Sequence, residues 1–139
     1  MSNNLASIIE PHKHLSKVAI VDRGQSFSYQ QVNDRACDIA NGLRLNNIQP
    51  GQSVAIRLPN SIEFVTSYFG ILRAGGVAVL INIRWPDSVI EYVLNDSAPA
   101  LVIDENNYHS LLVDGPDQMA EVAETDPAVI LYTSGTTSM

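Results

Sequence analysis

The sequence has little that would cross-link it covalently or direct it into a membrane. Its 139 residues include one cysteine, which excludes an internal disulfide and fits a reducing compartment. The longest apolar runs, such as residues 77–81, are far shorter than a membrane span. The first residues lack the basic and then apolar segments of a secretory signal. We therefore expect a cytoplasmic protein with no membrane span.

Positive charge is missing from the second part of the chain. All eight Lys and Arg residues lie at or before Arg84 together with five acidic residues, which gives this part a formal charge of +3. The remainder has ten acidic residues and no Lys or Arg, and the whole chain carries −7. This balance argues against nucleic acid or an anionic membrane as a partner. The acidic part is either a solvated face or a surface whose cationic counterpart lies elsewhere.

What is present predicts an α/β fold. Hydrophobic residues make up 45% of the chain, enough for a core in one domain. The predicted strands cover 18–22, 26–28, 53–58, 77–81, 100–104 and 128–132, and the predicted helices cover 5–10, the stretch from the Ser28–Gln31 capping box to Asn46, 61–74, a segment opened by Pro86, and a weak one at 108–113. Strands that alternate with helices predict a largely parallel sheet with βαβ crossovers.

One helix carries two specific expectations. Asn60 can cap the helix at 61–74, and a pair of glycines at 75–76 can close it. Its buried face is predicted to consist of four apolar residues at helical spacing, namely Ile62, Val65, Phe69 and Leu72.

The last predicted strand leads into a segment rich in hydroxyl groups. Thr133, Ser134, Thr136 and Thr137 surround Gly135. Glycine permits close approach of the backbone to a ligand, and successive amides in such a turn can bind an anion. A phosphate-binding loop and a plain polar loop are both compatible with this composition. The segment is not a Walker A loop, because the Gly-Lys-[Ser/Thr] ending is absent.

In its wider context this segment resembles the phosphate-binding signature of the adenylate-forming superfamily, which comprises acyl- and aryl-CoA synthetases, peptide-synthetase adenylation domains and luciferases. The similar stretches are 126–128 with 131–137, 58–61, 63–64, 71–77, Asn82 with Arg84, and 96–97. The similarity runs from about residue 5 to the end. It implies that residues 1–139 form part of the N-terminal domain of an AMP-forming ligase, ending within the phosphate-binding loop and without the C-terminal domain.

The resemblance also implies a chemistry and a set of site residues. Members use ATP and Mg²⁺ to adenylate a carboxylic acid and then transfer the acyl group to a thiol, often coenzyme A. Thr133, Ser134, Gly135, Thr136 and Thr137 would contact the phosphates. The stretch around Asn82 and Arg84 is more similar to acid–CoA ligases, and so to fatty acid metabolism, than to amino-acid adenylation domains, which are the alternative.

Two departures lead us to expect that the 139 residues alone are inactive. Ser138 stands where the signature has glycine, and a side chain there restricts the loop. The signature's lysine, the acyl pocket and the magnesium-binding acid of the family would all lie beyond residue 139. Two non-catalytic functions remain open: an interaction module that self-associates through an incomplete sheet, and a nucleotide-binding module without turnover.

Other candidate residues give weaker signals. His12 and His14 form at most an incomplete metal site, and His109 is expected on a helix surface. Asp104 and Glu105 offer oxygen ligands without the spacing of a calcium loop. Trp85 and the aromatic group at 64–69 are expected to pack in the core or an interface.

Overall fold

The fold follows the predicted alternation of strands and helices. The computed structural model describes residues 16–116, 119–120 and 128–132. Its elements, in chain order, are β1 (Val18–Asp22), β2 (Gln25–Ser28), α1 (Tyr29–Leu45), β3 (Ser53–Ile56), α2 (Ile62–Arg73), β4 (Val77–Leu80), α3 (Asp87–Ser97), β5 (Leu101–Ile103), a 3₁₀ helix (His109–Leu111) and β6 (Val129–Ile130). The helix predicted at 5–10 lies outside the described residues.

Four strands form one parallel sheet in the order β5-β3-β4-β6. β3 pairs with a strand on each side, and its Val54 lies opposite Ala78 of β4 and Leu101 of β5. β6 joins β4 through Val129 opposite Ala78. β1 and β2 form a separate antiparallel hairpin. The prediction of an α/β fold with a largely parallel sheet and βαβ crossovers is confirmed.

Both faces of the sheet are covered, because successive strand residues point to opposite sides. Val54 and Ile56 join the larger core with residues of α1 and α2, such as Leu43 and Ile71. Ala55 lies on the other face, in a smaller core that includes Ile90 and Val93 of α3 along with other residues. Since both faces are covered, the ends of the strands are the part of the sheet that can contact a ligand.

The two longer helices begin at serine caps. Ser28 accepts from the backbone N–H of Gln31, whose side chain accepts from the backbone N–H of Ser28, so the predicted capping box is present. The N-cap of α2 is Ser61, whose Oγ accepts from the Phe64 N–H at 3.1 Å. The prediction of Asn60 as this cap was therefore wrong by one residue.

The buried face of α2 is broader than its apolar pattern predicts. Ile62 and Leu72 are buried as expected, whereas Val65 and Phe69 are half-buried. The helix also buries residues that the apolar stripe leaves out, namely Thr66, Ser67, Gly70, Ile71 and Arg73. α2 packs against both α1 and the sheet, and a helix between two layers has little solvent face left. At Gly70 a Cβ would lie 2.5 Å from the Ile39 side chain, so this glycine permits the close contact with α1.

The parallel strands end earlier than predicted. β3 and β4 stop at Ile56 and Leu80, although Leu58 and Ile81 beyond them are each 3% exposed. These residues remain buried after leaving the strands, which is why apolar character overestimates the strand lengths. The weak helix expected at 108–113 is the 3₁₀ helix. Among the described residues, no helix has both the length and the apolar character needed to cross a membrane.

Candidate functional site

The carboxyl ends of β3, β4 and β6 meet at one edge of the sheet, where open α/β sheets bind ligands. A cavity of about 750 Å³ lies at this edge, within the usual size range of a small-molecule site. Its lining comes from the last residue of β4, from the three segments that follow these strands and from α2, and consists of Leu58, Pro59, Asn60, Phe64, Leu80, Ile81, Asn82, Ile83, Arg84, Trp85, Leu131 and Tyr132. The parallel topology thus assembles a site from segments that are far apart in the sequence.

The segment after β4 supplies the charge of the cavity. Arg84 is the only charged side chain among the described residues that line it, and Arg84 is exposed. A short turn fixes its backbone: the Asn82 Oδ1 accepts from the Arg84 N–H at 2.9 Å, and the Asn82 carbonyl accepts from the Trp85 N–H at 3.0 Å. Local hydrogen bonds of this kind are typical of Asn in turns. The cavity therefore has a positive mouth in a protein of net negative charge.

The segment after β3 supplies another wall, which the start of α2 makes rigid. Ser61 Oγ donates to the Pro59 carbonyl at 2.9 Å and accepts from the Phe64 N–H. Asp22, at the end of β1, accepts from the Ile62 N–H through its Oδ2 at 3.1 Å. These contacts join the hairpin to the first turn of α2 and hold Phe64 at the cavity.

The segment after β6 brings Tyr132 to the site. Its Oη donates to Oδ2 of Asp96, on α3, at 2.6 Å. Partial burial, and then the hydrogen bond and the charge of Asp96, raise the pKa of Tyr132 to about 12. The raised pKa shows that this environment stabilises the protonated phenol, which is the form that donates to Asp96.

The cavity combines an apolar floor, three aromatic rings and one exposed cation. Leu58 and Ile81 are buried, and Phe64 and Trp85 are half-buried. Trp85 and Phe64 pack against the two cores, as expected, and also line the cavity. Such a site suits a ligand with a flat or apolar part and an anionic group.

The five predicted phosphate contacts, Thr133, Ser134, Gly135, Thr136 and Thr137, lie outside the described residues. Tyr132, the last described residue, lines the cavity, and the predicted contacts follow it directly in the chain. Their assignment as phosphate contacts stays a prediction.

The weaker candidates do not form sites where the structure describes them. His12 and His14 lie outside the described residues, and His109 is exposed on the 3₁₀ helix, as expected. Asp104 Oδ1 accepts from the backbone N–H groups of Asn106 and Asn107, which makes it a turn residue. Within the described ranges no group of three or more His, Cys, Asp or Glu residues could hold a metal ion. Cys37 is a free cysteine and is buried.

Sequence reasoning missed the contact between Tyr132 and Asp96. The two residues are 36 positions apart, and no periodicity joins them. The available signal was the similarity of residues 96–97 and 131–137 to one family, which marks both segments without indicating that they touch.

Comparisons with known proteins identify the family. A family model described as "AMP-binding enzyme" matches residues 10–139. Gramicidin S synthase 2 of Brevibacillus brevis is 32% identical over 136 residues, which cover 86% of this chain and 3% of that protein. The N-terminal domain of FACL13 from Mycobacterium tuberculosis has a TM-score of 0.84 at 23% identity, over 94% of this chain and 42% of that one.

A second solved structure has the same fold. NpsA-ThdA from Klebsiella oxytoca, described as an artificially fused Adenylation-PCP di-domain NRPS, has a TM-score of 0.83 at 21% identity, over 96% of this chain and 29% of that one. The chain thus spans less than half the length of each of these relatives. Since the family match covers nearly all of its residues, the chain belongs to the AMP-binding enzyme family, as its resemblance to adenylate-forming enzymes predicted.

Proposed function

We propose that this chain forms the nucleotide-facing part of an ATP-dependent, AMP-forming acid–CoA ligase. The observation that carries the proposal is the cavity at the carboxyl edge of the sheet, with Arg84 at its mouth and Tyr132 in its wall. The hydroxyl-rich segment 133–137 follows Tyr132 directly. A phosphate-binding loop that begins there would start at a cavity whose charge suits an anion.

The residues of the chain would act mainly as hydrogen-bond donors. Thr133, Ser134, Thr136 and Thr137 carry hydroxyl groups, and the backbone around Gly135 can approach a phosphate closely. Arg84 would add the positive charge. Mg²⁺ would neutralise phosphate charge when it is bound with ATP.

The reaction proposed for the whole enzyme has two steps. A carboxylate oxygen of the acid bonds to the α-phosphorus of ATP, the bond from that phosphorus to the β-phosphate bridge breaks, and pyrophosphate leaves. The thiol of coenzyme A then gives its proton to solvent and its sulfur attacks the acyl carbon, the bond from that carbon to the phosphate oxygen breaks, and AMP leaves. Donors placed around the transferring group stabilise the charge that develops in the first step.

A second candidate is an amino-acid adenylation domain that passes its acyl group to a carrier protein. It is favoured by the 32% identity to Gramicidin S synthase 2. The two candidates share the first step and differ in the acid and in the thiol acceptor.

ATP–pyrophosphate exchange tests the shared step. We would assay the 139 residues alone and, as the longer protein, the whole polypeptide encoded by the open reading frame that contains them. The longer protein is expected to exchange with at least one carboxylic acid, and the 139 residues alone are not. An acid–CoA ligase would then form a thioester with free coenzyme A. Exchange with amino acids and transfer only to a carrier protein would favour the second candidate. If neither a carboxylic acid nor an amino acid supported exchange, both candidate functions would be overturned.

Arg84 and Arg57 provide a matched pair for testing the cavity. Both are exposed and follow neighbouring parallel strands, but Arg57 does not line the cavity. In the longer protein, Arg84→Gln is expected to raise the KM of one anionic substrate several-fold, because a charge-assisted contact is lost. Arg57→Gln should leave every KM within about twofold. If the two substitutions changed KM equally, the cavity that Arg84 lines would not be the binding site of the anionic substrate.

A further inference from the structure

The turn after β4 brings a fixed side-chain amide to the mouth of the cavity. The Asn82 Oδ1 accepts from the Arg84 N–H at 2.9 Å, and the Asn82 carbonyl accepts from the Trp85 N–H at 3.0 Å. A backbone N–H can only donate, so this contact decides which arm of the amide carries the oxygen. The Nδ2 group is therefore the arm of Asn82 that is turned away from the Arg84 N–H.

This Nδ2 group is accessible to a ligand. Asn82 and Arg84 are both exposed, and both line the cavity. In the described part of the chain, neither the Asn82 Nδ2 nor the Arg84 guanidinium has a hydrogen-bond partner, and no described acid forms an ion pair with Arg84. One neutral and one charged donor group therefore stand two residues apart on a single turn.

No carboxylate among the described lining residues competes for these donors. Arg84 is the only charged side chain in that lining, and the Tyr132 phenol already donates to Asp96. The acid nearest along the chain is Asp87, in the first turn of α3, and it does not line the cavity. An anionic group at the mouth would therefore meet hydrogen-bond donors on the turn after β4.

The turn by itself does not require asparagine at position 82. Aspartate could accept from the Arg84 N–H as asparagine does, because both residues favour turns of this kind. Its second oxygen would then replace the Nδ2 donor and would present a negative charge beside Arg84. The turn needs only an acceptor at position 82, whereas a ligand with an oxyanion group needs the donor.

We propose that Asn82 is a binding residue whose Nδ2 donates, together with the Arg84 guanidinium, to an oxyanion group of a substrate. The group is a phosphate or a carboxylate, and position 82 determines which charge the cavity accepts. The inference rests on the proposed function for the identity of the substrate. It goes beyond that function because it gives the anion a second donor and gives the side chain of Asn82 a role outside the turn.

Two substitutions at position 82 separate the binding role from the role in the turn. Asn82→Asp keeps an acceptor for the Arg84 N–H and replaces the donor by an anion, whereas Asn82→Ala removes both the acceptor and the donor. Asn95→Asp is the matched control, because it adds the same charge at an exposed position of α3 that does not line the cavity.

The kinetic test uses the longer protein and the KM values of ATP, the carboxylic acid and the thiol acceptor. Asn82→Asp should raise the KM of the substrate that Arg84→Gln affects by about tenfold, because a donor is lost and a repulsive charge is added. Asn82→Ala should raise the same KM by about threefold. In both variants kcat should change by less than about twofold, as expected when uniform binding is lost, and Asn95→Asp should leave every KM within about twofold. The substrate whose KM responds identifies the source of the oxyanion.

A second measurement needs no catalysis and uses Trp85, which is the only tryptophan of the chain and lines the cavity. We would quench its fluorescence in the 139-residue chain with iodide, an anion, and with acrylamide, which is neutral, at constant ionic strength. Asn82→Asp should lower the iodide quenching constant by about twofold and leave the acrylamide constant unchanged, because it alters the charge at the mouth without opening the turn. Arg84→Gln should lower iodide quenching as well, and Asn95→Asp should change neither constant.

The two measurements distinguish a failure of this inference from a failure of the proposed function. If the unmodified longer protein shows no exchange with any acid, the proposed function fails, and iodide quenching still decides whether position 82 sets the charge at the mouth. If Asn82→Ala raised KM more than Asn82→Asp did, Asn82 would serve the turn alone and the binding role would be refuted. The role would also be refuted if Asn82→Asp left both KM and iodide quenching unchanged, or altered acrylamide quenching as strongly as iodide quenching.

Discussion

Gly42 allows α1 to lie directly against the backbone of the 3₁₀ helix. A Cβ built at Gly42 would lie 1.8 Å from the Leu111 carbonyl oxygen, whereas real Cβ contacts stay beyond 3.0 Å. For alanine to fit, the backbone at Leu111 would have to retreat by about 1 Å. Leu111 is 4% exposed and neighbouring Tyr108 is 1% exposed, so this movement would disturb the larger core.

The Gly42→Ala substitution therefore sets two effects of opposite sign against each other. Alanine in place of glycine inside a helix stabilises it by about 1 kcal/mol. Overpacking a well-packed core usually costs about 1–3 kcal/mol, and the upper end applies here because the obstacle is backbone rather than a side chain that can rotate. The clash is the larger effect, and we expect a net loss of about 2 kcal/mol in the free energy of unfolding.

Urea denaturation of the 139-residue chain, followed by circular dichroism, measures this loss as a lower midpoint at an unchanged slope. Asp34→Ala is the control, because Asp34 is exposed on the same helix and its replacement changes propensity without a clash. That variant should match the unmodified chain or exceed it by up to about 0.5 kcal/mol. If Gly42→Ala proved as stable as the unmodified chain, the close packing of α1 on the 3₁₀ helix would be refuted.

Three further outcomes are expected in the same denaturation assay. Thr66→Val should lower the free energy of unfolding by about 1–3 kcal/mol, because valine leaves the buried Tyr108 phenol without its acceptor. Tyr108→Phe should lower it by about 1 kcal/mol, because Thr66 still donates to the Ile62 carbonyl, and a larger loss in Tyr108→Phe than in Thr66→Val would contradict this network. Ser61→Ala should cost about 1 kcal/mol through the lost cap of α2, and a neutral result would contradict that assignment. The unmodified chain should be more stable than Tyr132→Phe by a constant amount below pH 10, and this difference should disappear as the pH rises through about 12, because folding raises the pKa of Tyr132. A stability difference that does not depend on pH would contradict the raised pKa.

Much of the fold could be predicted from local patterns. The capping box at Ser28, the glycines after α2 and the start of β4 at Val77 each depend on neighbouring residues, and each was found where expected. The boundaries of elements were less predictable, because Leu58 and Ile81 stay buried after the strands have ended. Burial is a property of the whole fold, so a hydrophobic pattern cannot distinguish the end of a strand from a buried turn.

The candidate site was predictable only in part. The similarity to adenylate-forming enzymes named residues 133–137 and the stretch around Arg84, but did not indicate the cavity that joins their neighbourhoods. Asn82, Asn60 and Tyr132 line that cavity together because three parallel strands end at one edge of the sheet. The strand order β5-β3-β4-β6 differs from the order along the chain, and sequence spacing carries no information about it.

The sequence by itself determined the family, the alternation of strands and helices, and the concentration of hydroxyl groups after the last strand, because each of these depends on residues that are close in the chain. The tertiary structure decided which segments meet. It placed Arg84 at the mouth of a cavity and brought Tyr132 to Asp96. It also set α2 between α1 and the sheet, which buries Thr66 and Arg73 against the apolar pattern of that helix. These contacts join residues tens of positions apart, and only the packing of helices on a parallel sheet fixes their distances.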